Sequence, residues 1–167
     1  VTLSEDDLRG ELQVTTRNSR RDSFNTVKGV FSDPAEKFQP TDFPSVSSNT
    51  FITEDNNEQI FRDIELPFTT SPSMAQRIAK IILYRGREQI NLKYPAKLTG
   101  FNVEVGDTIL INNTRLGFSN KPFEVAKWNF AVEKGGKLGV DLDLREISSA
   151  VYDWSAEESQ IISNNTT

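Results

Sequence analysis

The sequence predicts an α+β fold, mainly β: an antiparallel barrel or sandwich with one flanking amphipathic helix at about residues 71–86. Three observations carry that reading. The stretch SPSMAQRIAKIILYRGREQI, Ser71 to Ile90, has the 3.6-residue apolar period of a helix laid on a surface. Four alternating strand signals follow it at close spacing up to Ile147. At 167 residues the chain fits one domain that buries roughly 70% of its unfolded surface.

Taken in order, the chain opens with VTLSEDDLRG, where Ser4 is placed to cap a short helix or turn and Glu5, Asp6 and Asp7 suit its positive end. Residues 22–60 are polar, with isolated apolar positions at Val27, Val30, Phe31, Phe38, Phe43, Val46 and Phe51. Such a segment reads as short strands that need a surface to lie on, either this domain's own sheet or a neighbouring subunit. In IFRDIELPF the residues Ile64, Leu66 and Phe68 alternate as a half-buried strand, and Pro67 marks its edge or end.

Ser71 and Pro72 then start the helix as N-cap and first helical residue. Its buried stripe is expected at Met74, Ile78, Ile81, Ile82 and the stem of Arg85, with Gly86 as the stop and Gln76, Arg77, Lys80 and Tyr84 on the flanks. Beyond it, Ile90, Leu92 and Tyr94 alternate, as do Phe101, Val103 and Val105, then Ile109 and Ile111 after a turn at Gly106-Asp107. Phe123 and Val125 lie on one phase and Trp128, Phe130 and Val132 on the other, which places a bulge near Ala126 and Lys127. Gly135-Gly136 closes a hairpin, and Leu138, Val140, Leu142 and Leu144 alternate after it.

Composition excludes several chemistries. The chain has no Cys and no His, so disulfides, thiolate metal sites, cysteine nucleophiles and imidazole general bases are absent. A net charge of −5 argues against nucleic acid as a bound partner. No apolar run reaches the roughly 18 residues that would span a bilayer. No basic leader opens the chain, and both ends read as cuts or linkers in a longer protein.

The remaining constellations are weighed by spacing. Asp141 and Asp143 share the face opposite Val140, Leu142 and Leu144, which is the solvent face of an amphipathic strand. EKGGKLG lacks the spacing of a phosphate loop and runs strand to strand. Arg77, Lys80, Arg85 and Arg87 form a basic helix flank that suits solvent or an acidic neighbour, and Trp128, Tyr152 and Trp154 suit a core or a subunit contact. These seven residues are the candidate interface; no catalytic, cofactor or metal site is assigned. NNT occurs at Asn112–Thr114 and Asn164–Thr166, a glycosylation pattern that predicts nothing without a secretory signal.

The order of the motifs says more than any one of them. ELPF (Glu65–Phe68), the AQRIA helix (Ala75–Ala79), Pro95-Ala96, Gly106-Asp107, LGF (Leu116–Phe118), PFEV (Pro122–Val125), LRE (Leu144–Glu146) and YDW (Tyr152–Trp154) follow one another as in the tail-tip, or host-specificity, proteins of long-tailed bacteriophages and their prophage relatives. DSFNTVKGVFSDP, Asp22 to Pro34, is similar to that family's leading strand, and the resemblance covers most of residues 22–154.

The resemblance implies a tail-hub-like structural domain, similar to baseplate hubs, that packs with its copies around a channel. It divides the chain into a leading segment from a preceding domain at 1–21, the hub-like β domain at 22–154 and a polar linker or tail at 155–167. The expected role is tail assembly, host attachment and DNA delivery, without catalysis or cofactor. Expected partners are other tail proteins and two further copies in a homotrimer, with DNA passing through unbound. The expected location is the virion tail, after synthesis in the host cytoplasm. Two rival readings are a carbohydrate-binding β-domain using Trp128, Tyr152 or Trp154, and a hydrolase using Asp141, Asp143 and Glu146.

Overall fold

The structure is a computed structural model that describes residues 1–16 and 23–160. Its contacts divide the chain into two compact units. Among the described residues, 1–16 and 88–148 form the first and 23–87 with 149–160 the second. This division differs from the boundary expected near residue 21, because the leading segment supplies strands to a sheet whose other strands come from beyond residue 88.

The first unit is a six-stranded sheet built from β1 (Thr2–Ser4), β2 (Gln13–Thr15), β6 (Asn91–Ala96), β7 (Thr108–Asn113), β8 (Phe118–Val132) and β9 (Leu138–Glu146), in the order β1-β7-β8-β9-β6-β2. β1 runs parallel to β7 and every other pair is antiparallel. The sheet is open, which corrects the barrel alternative. Its two edges are three-residue strands, too short to offer a long unpaired ladder.

The alternation read from β6 and β9 is present: Leu92, Tyr94, Val140, Leu142 and Leu144 are buried, together with Leu3, Ile109, Ile111, Phe123 and Val125. The bulge falls between Val125 and Lys127, and Gly135 and Gly136 turn the β8–β9 hairpin with φ of 90° and 76°. One strand expectation fails. Residues Leu98–Asn102 form a 3-10 helix, Phe101 and Val105 are exposed, and Gly106 turns the chain into β7 at φ 96°. Gly100 explains the change, since a Cβ there would lie 2.9 Å from Ala96 Cβ and 3.0 Å from Val140 Cβ. The 3-10 turn lies so close over the sheet that only hydrogen fits.

The second unit holds a three-stranded sheet, β4 (Gln39–Ser47), β3 (Thr26–Asp33) and β5 (Phe61–Leu66) in that order, a short helix α1 (Asn49–Glu54) and the long helix α2 (Pro72–Arg87). β3 is antiparallel to β4 and parallel to β5. The polar residues 23–60 therefore build a sheet with β5, and their sparse apolar residues Phe24, Val27, Phe31 and Phe43 make one core with α2. Phe68, expected to face inward, is 97% exposed beyond the end of β5.

The start of α2 is as read: Ser71 Oγ accepts from Met74 N at 3.4 Å, and Pro72 is the first helical residue. The buried stripe is rotated from the expected one. Ala75, Ala79 and Leu83 are buried with Gln76, whereas Met74 is exposed and Ile78 and Ile81 are half-buried. Two alanines spaced four apart let the helix backbone approach the sheet closely, and that approach decides the face. Gly86 does not end the helix. It lies inside it, where a Cβ would stand 2.6 Å from Cζ of Phe24.

Candidate functional site

The basic flank of α2 is engaged within its own unit rather than presented as one free face. Lys80 pairs with Glu158 and lies over the rings of Tyr84 (5.6 Å) and Trp154 (5.8 Å). The Lys80 hydrogen bond holds the Glu158 carboxyl below the usual glutamate value, with help from the Ser155 amide. Arg87 pairs with Asp55, donates to the Phe51 carbonyl at 3.2 Å and stacks over the Phe51 ring at 4.9 Å. Asp55 also accepts from Asn25 Nδ2 at 2.8 Å, and Asn25 is fully buried while bonding the backbone of Glu58 and Ile60. Arg77 is exposed and Arg85 half-buried.

Beside Lys80 lies a contact that sequence reading placed on the outer flank. Gln76 is 1% exposed, and its carboxamide meets the Gln160 backbone twice: Nε2 donates to the Gln160 carbonyl and Oε1 accepts from the Gln160 amide, each at 2.9 Å. Ser159 Oγ donates to Ser73 Oγ at 2.9 Å. Residues 154–160 thus run as a strap along α2, held at Trp154, Glu158, Ser159 and Gln160. A helix stripe running through Ala75 and Ala79 instead of the isoleucines turns Gln76 inward, but nothing in the helix sequence names Gln160 as its partner.

The other two predicted aromatics divide between the units. Tyr152 is half exposed just before it. Trp128 belongs to the first unit, where its Nε1 donates to the Gly100 carbonyl at 3.1 Å and Phe101 packs edge-on against it at 5.6 Å. Phe101 also meets Phe130 at 5.6 Å. Phe130 (50% exposed) and Val132 (64% exposed) share the strand face with Leu138, which pairs directly with Val132. Together they form an exposed apolar patch at the hairpin end of β8 and β9.

Two of the candidate carboxylates, Asp141 and Glu146, are held in ion pairs. Asp141 pairs with Arg9, which also holds Glu133. Glu146 pairs with Lys121 and accepts from Ile90 N at 3.0 Å, and it points to the face of β9 opposite Asp141 and Asp143. Near β1, Asp7 accepts from Ser4 N at 2.8 Å, and that bond lowers its carboxyl from the usual value. No cluster of three metal-ligating side chains occurs among the described residues. A hollow of about 610 Å³ beside it is lined by Ser4, Glu5, Asn112, Thr114 and Phe118. Asn112 within it bonds Asn120 at 2.6 Å, and the second NNT motif lies outside the described residues.

Residues 2–128 match the model of a family described as "Putative phage tail protein". Among curated proteins none matches. The fold is similar to three solved structures. One is a chain of the virion of a native gene transfer agent (GTA) particle, at TM-score 0.68 and 14% identity, covering 91% of this chain and 32% of that one. Another is a tail protein from Neisseria meningitidis MC58, at 0.60 and 15%, covering 91% and 45%. The third is the 43 kDa tail protein of prophage MuSo2 from Shewanella oneidensis, at 0.58 and 14%, covering 92% and 45%. This chain therefore spans less than half the length of each.

Proposed function

The chain belongs to this family of phage tail proteins, and from that premise we propose that it is a structural, non-catalytic hub domain at the tip of the tail. In that role it assembles with other tail proteins and as a homotrimer, is carried in the virion tail, and contributes to host attachment and DNA delivery. The observation that carries an assembly role is the patch of Phe101, Phe130, Val132 and Leu138. Four large apolar side chains grouped on one exposed face cost solvation unless a protein surface covers them.

Electrostatics supports passage of DNA without tight binding. The net charge is −5, and Arg9, Lys80, Arg87 and Lys121 each face a carboxylate of their own unit. The carbohydrate reading has less support, because Phe101, Trp128 and Phe130 pack edge to face at 77° and 61° and do not form a flat platform. Cryo-electron microscopy of virions tests the proposal. Density for this fold at the tail tip in three copies is expected; density along the tube, or in another copy number, rejects the hub assignment.

A further inference from the structure

We propose that the α2 face made by Ser73, Gln76 and Lys80 is a socket for an acidic strap, filled here by residues 154–160 of the same chain, with a 3-10 turn at Ala156–Glu158, and filled by that strap from an adjacent copy in the assembled state. The socket reads three features at fixed spacing: an aromatic ring beside Lys80, a carboxylate four residues on, and a backbone amide and carbonyl two residues further for Gln76. A buried carboxamide that offers both donor and acceptor to a backbone imitates one rung of a β-ladder. It reads the Gln160 backbone just after the 3-10 turn, irrespective of which chain supplies it.

Three observations favour exchange. The strap joins no strand, so leaving the socket breaks no sheet hydrogen bond. Its hold consists of a few polar contacts and one half-buried ring, which places its opening at the low end of local stabilities. The hinge is defined: Val151 is fully buried and anchors the chain, while Tyr152 and Asp153 are exposed. Identical contacts form in cis and in trans, so exchange costs only the terms of association. The two hinge residues let Trp154 reach about 10 Å at most from Val151, so the second copy must pack directly beside the first. This inference rests on the strap geometry alone and does not depend on the hub assignment.

The absence of cysteine from these 167 residues allows a direct test with this chain. Ser73 and Ser159, whose hydroxyls are 2.9 Å apart, are replaced singly, giving S73C and S159C. The two variants are mixed with oxidised glutathione. A disulfide-linked heterodimer well above either homodimer is expected. Adding Lys80→Glu to the S73C chain together with Glu158→Lys to the S159C chain repels each chain's own strap while keeping the trans pairing attractive, and should raise its yield severalfold. Circular dichroism checks that each variant is folded. Absence of heterodimer above the homodimer background, while the double variant S73C/S159C closes within one chain, overturns exchange.

Discussion

The phenol of Tyr94 donates a 2.5 Å hydrogen bond to the carbonyl of Ser4, ninety residues away in the chain. The bond ties the end of β1 to the middle of β6, two strands that are not neighbours in the sheet. Burial, and secondarily the charge of Asp7, push the phenol well above the ordinary tyrosine value. Tyr94→Phe leaves the Ser4 carbonyl without this donor and should cost about 1 kcal/mol, read from urea unfolding.

The same group sets an alkaline limit. Its folded pKa lies above the unfolded value of 10.0, so its contribution is full below pH 10 and is lost as pH rises beyond it. The wild-type unfolding midpoint should fall above pH 10, and Tyr94→Phe should remove that part of the fall.

The strap has the opposite pH dependence. Glu158 is held below its ordinary value, so its contribution is full above about pH 4.5 and is lost as pH falls through the depressed value. Hydrogen exchange at the Gln160 amide should therefore accelerate in acid, beyond the intrinsic pH effect on exchange. Glu158→Gln should show faster exchange at neutral pH and no further acid transition.

At Gly29, β3 leaves no room for a side chain against β5. A Cβ there would stand 1.9 Å from the Ile64 carbonyl oxygen, so no side chain fits without separating the parallel pair Gly29–Ile64. Gly29→Ala should destabilise the second unit by more than about 3 kcal/mol, or abolish its folding, as read by thermal unfolding.

The apolar patch should behave differently from these core positions. The pair Phe130→Ser and Val132→Ser changes exposed side chains, so the stability loss should stay within about 1 kcal/mol. Tail assembly, followed by electron microscopy of particles from a complemented knockout, should nevertheless fail. Normal tails from the double variant would remove the patch from the assembly surface.

How much was legible in the sequence follows from the range of the interactions involved. Local period and turn chemistry determined the α2 start at Ser71-Pro72, the alternation of β6 and β9, the bulge after Val125 and the Gly135-Gly136 hairpin, because each is written within a few adjacent residues. Motif order also pointed to phage tail proteins, and residues 2–128 match a family described as putative phage tail protein.

Only the tertiary structure decided which face of α2 goes inward, because the closeness permitted by Ala75 and Ala79 outweighs the larger apolar area of Met74 and Ile78. Only it made β1 and β2 part of a sheet with β6 to β9, since strand pairing across about 80 to 108 residues leaves no periodic trace in either segment. For the same reason the partners of Lys80 and Gln76 were hidden. Glu158 and Gln160 lie 78 and 84 residues away, and only the folded chain brings a helix flank and that strap within hydrogen-bond reach.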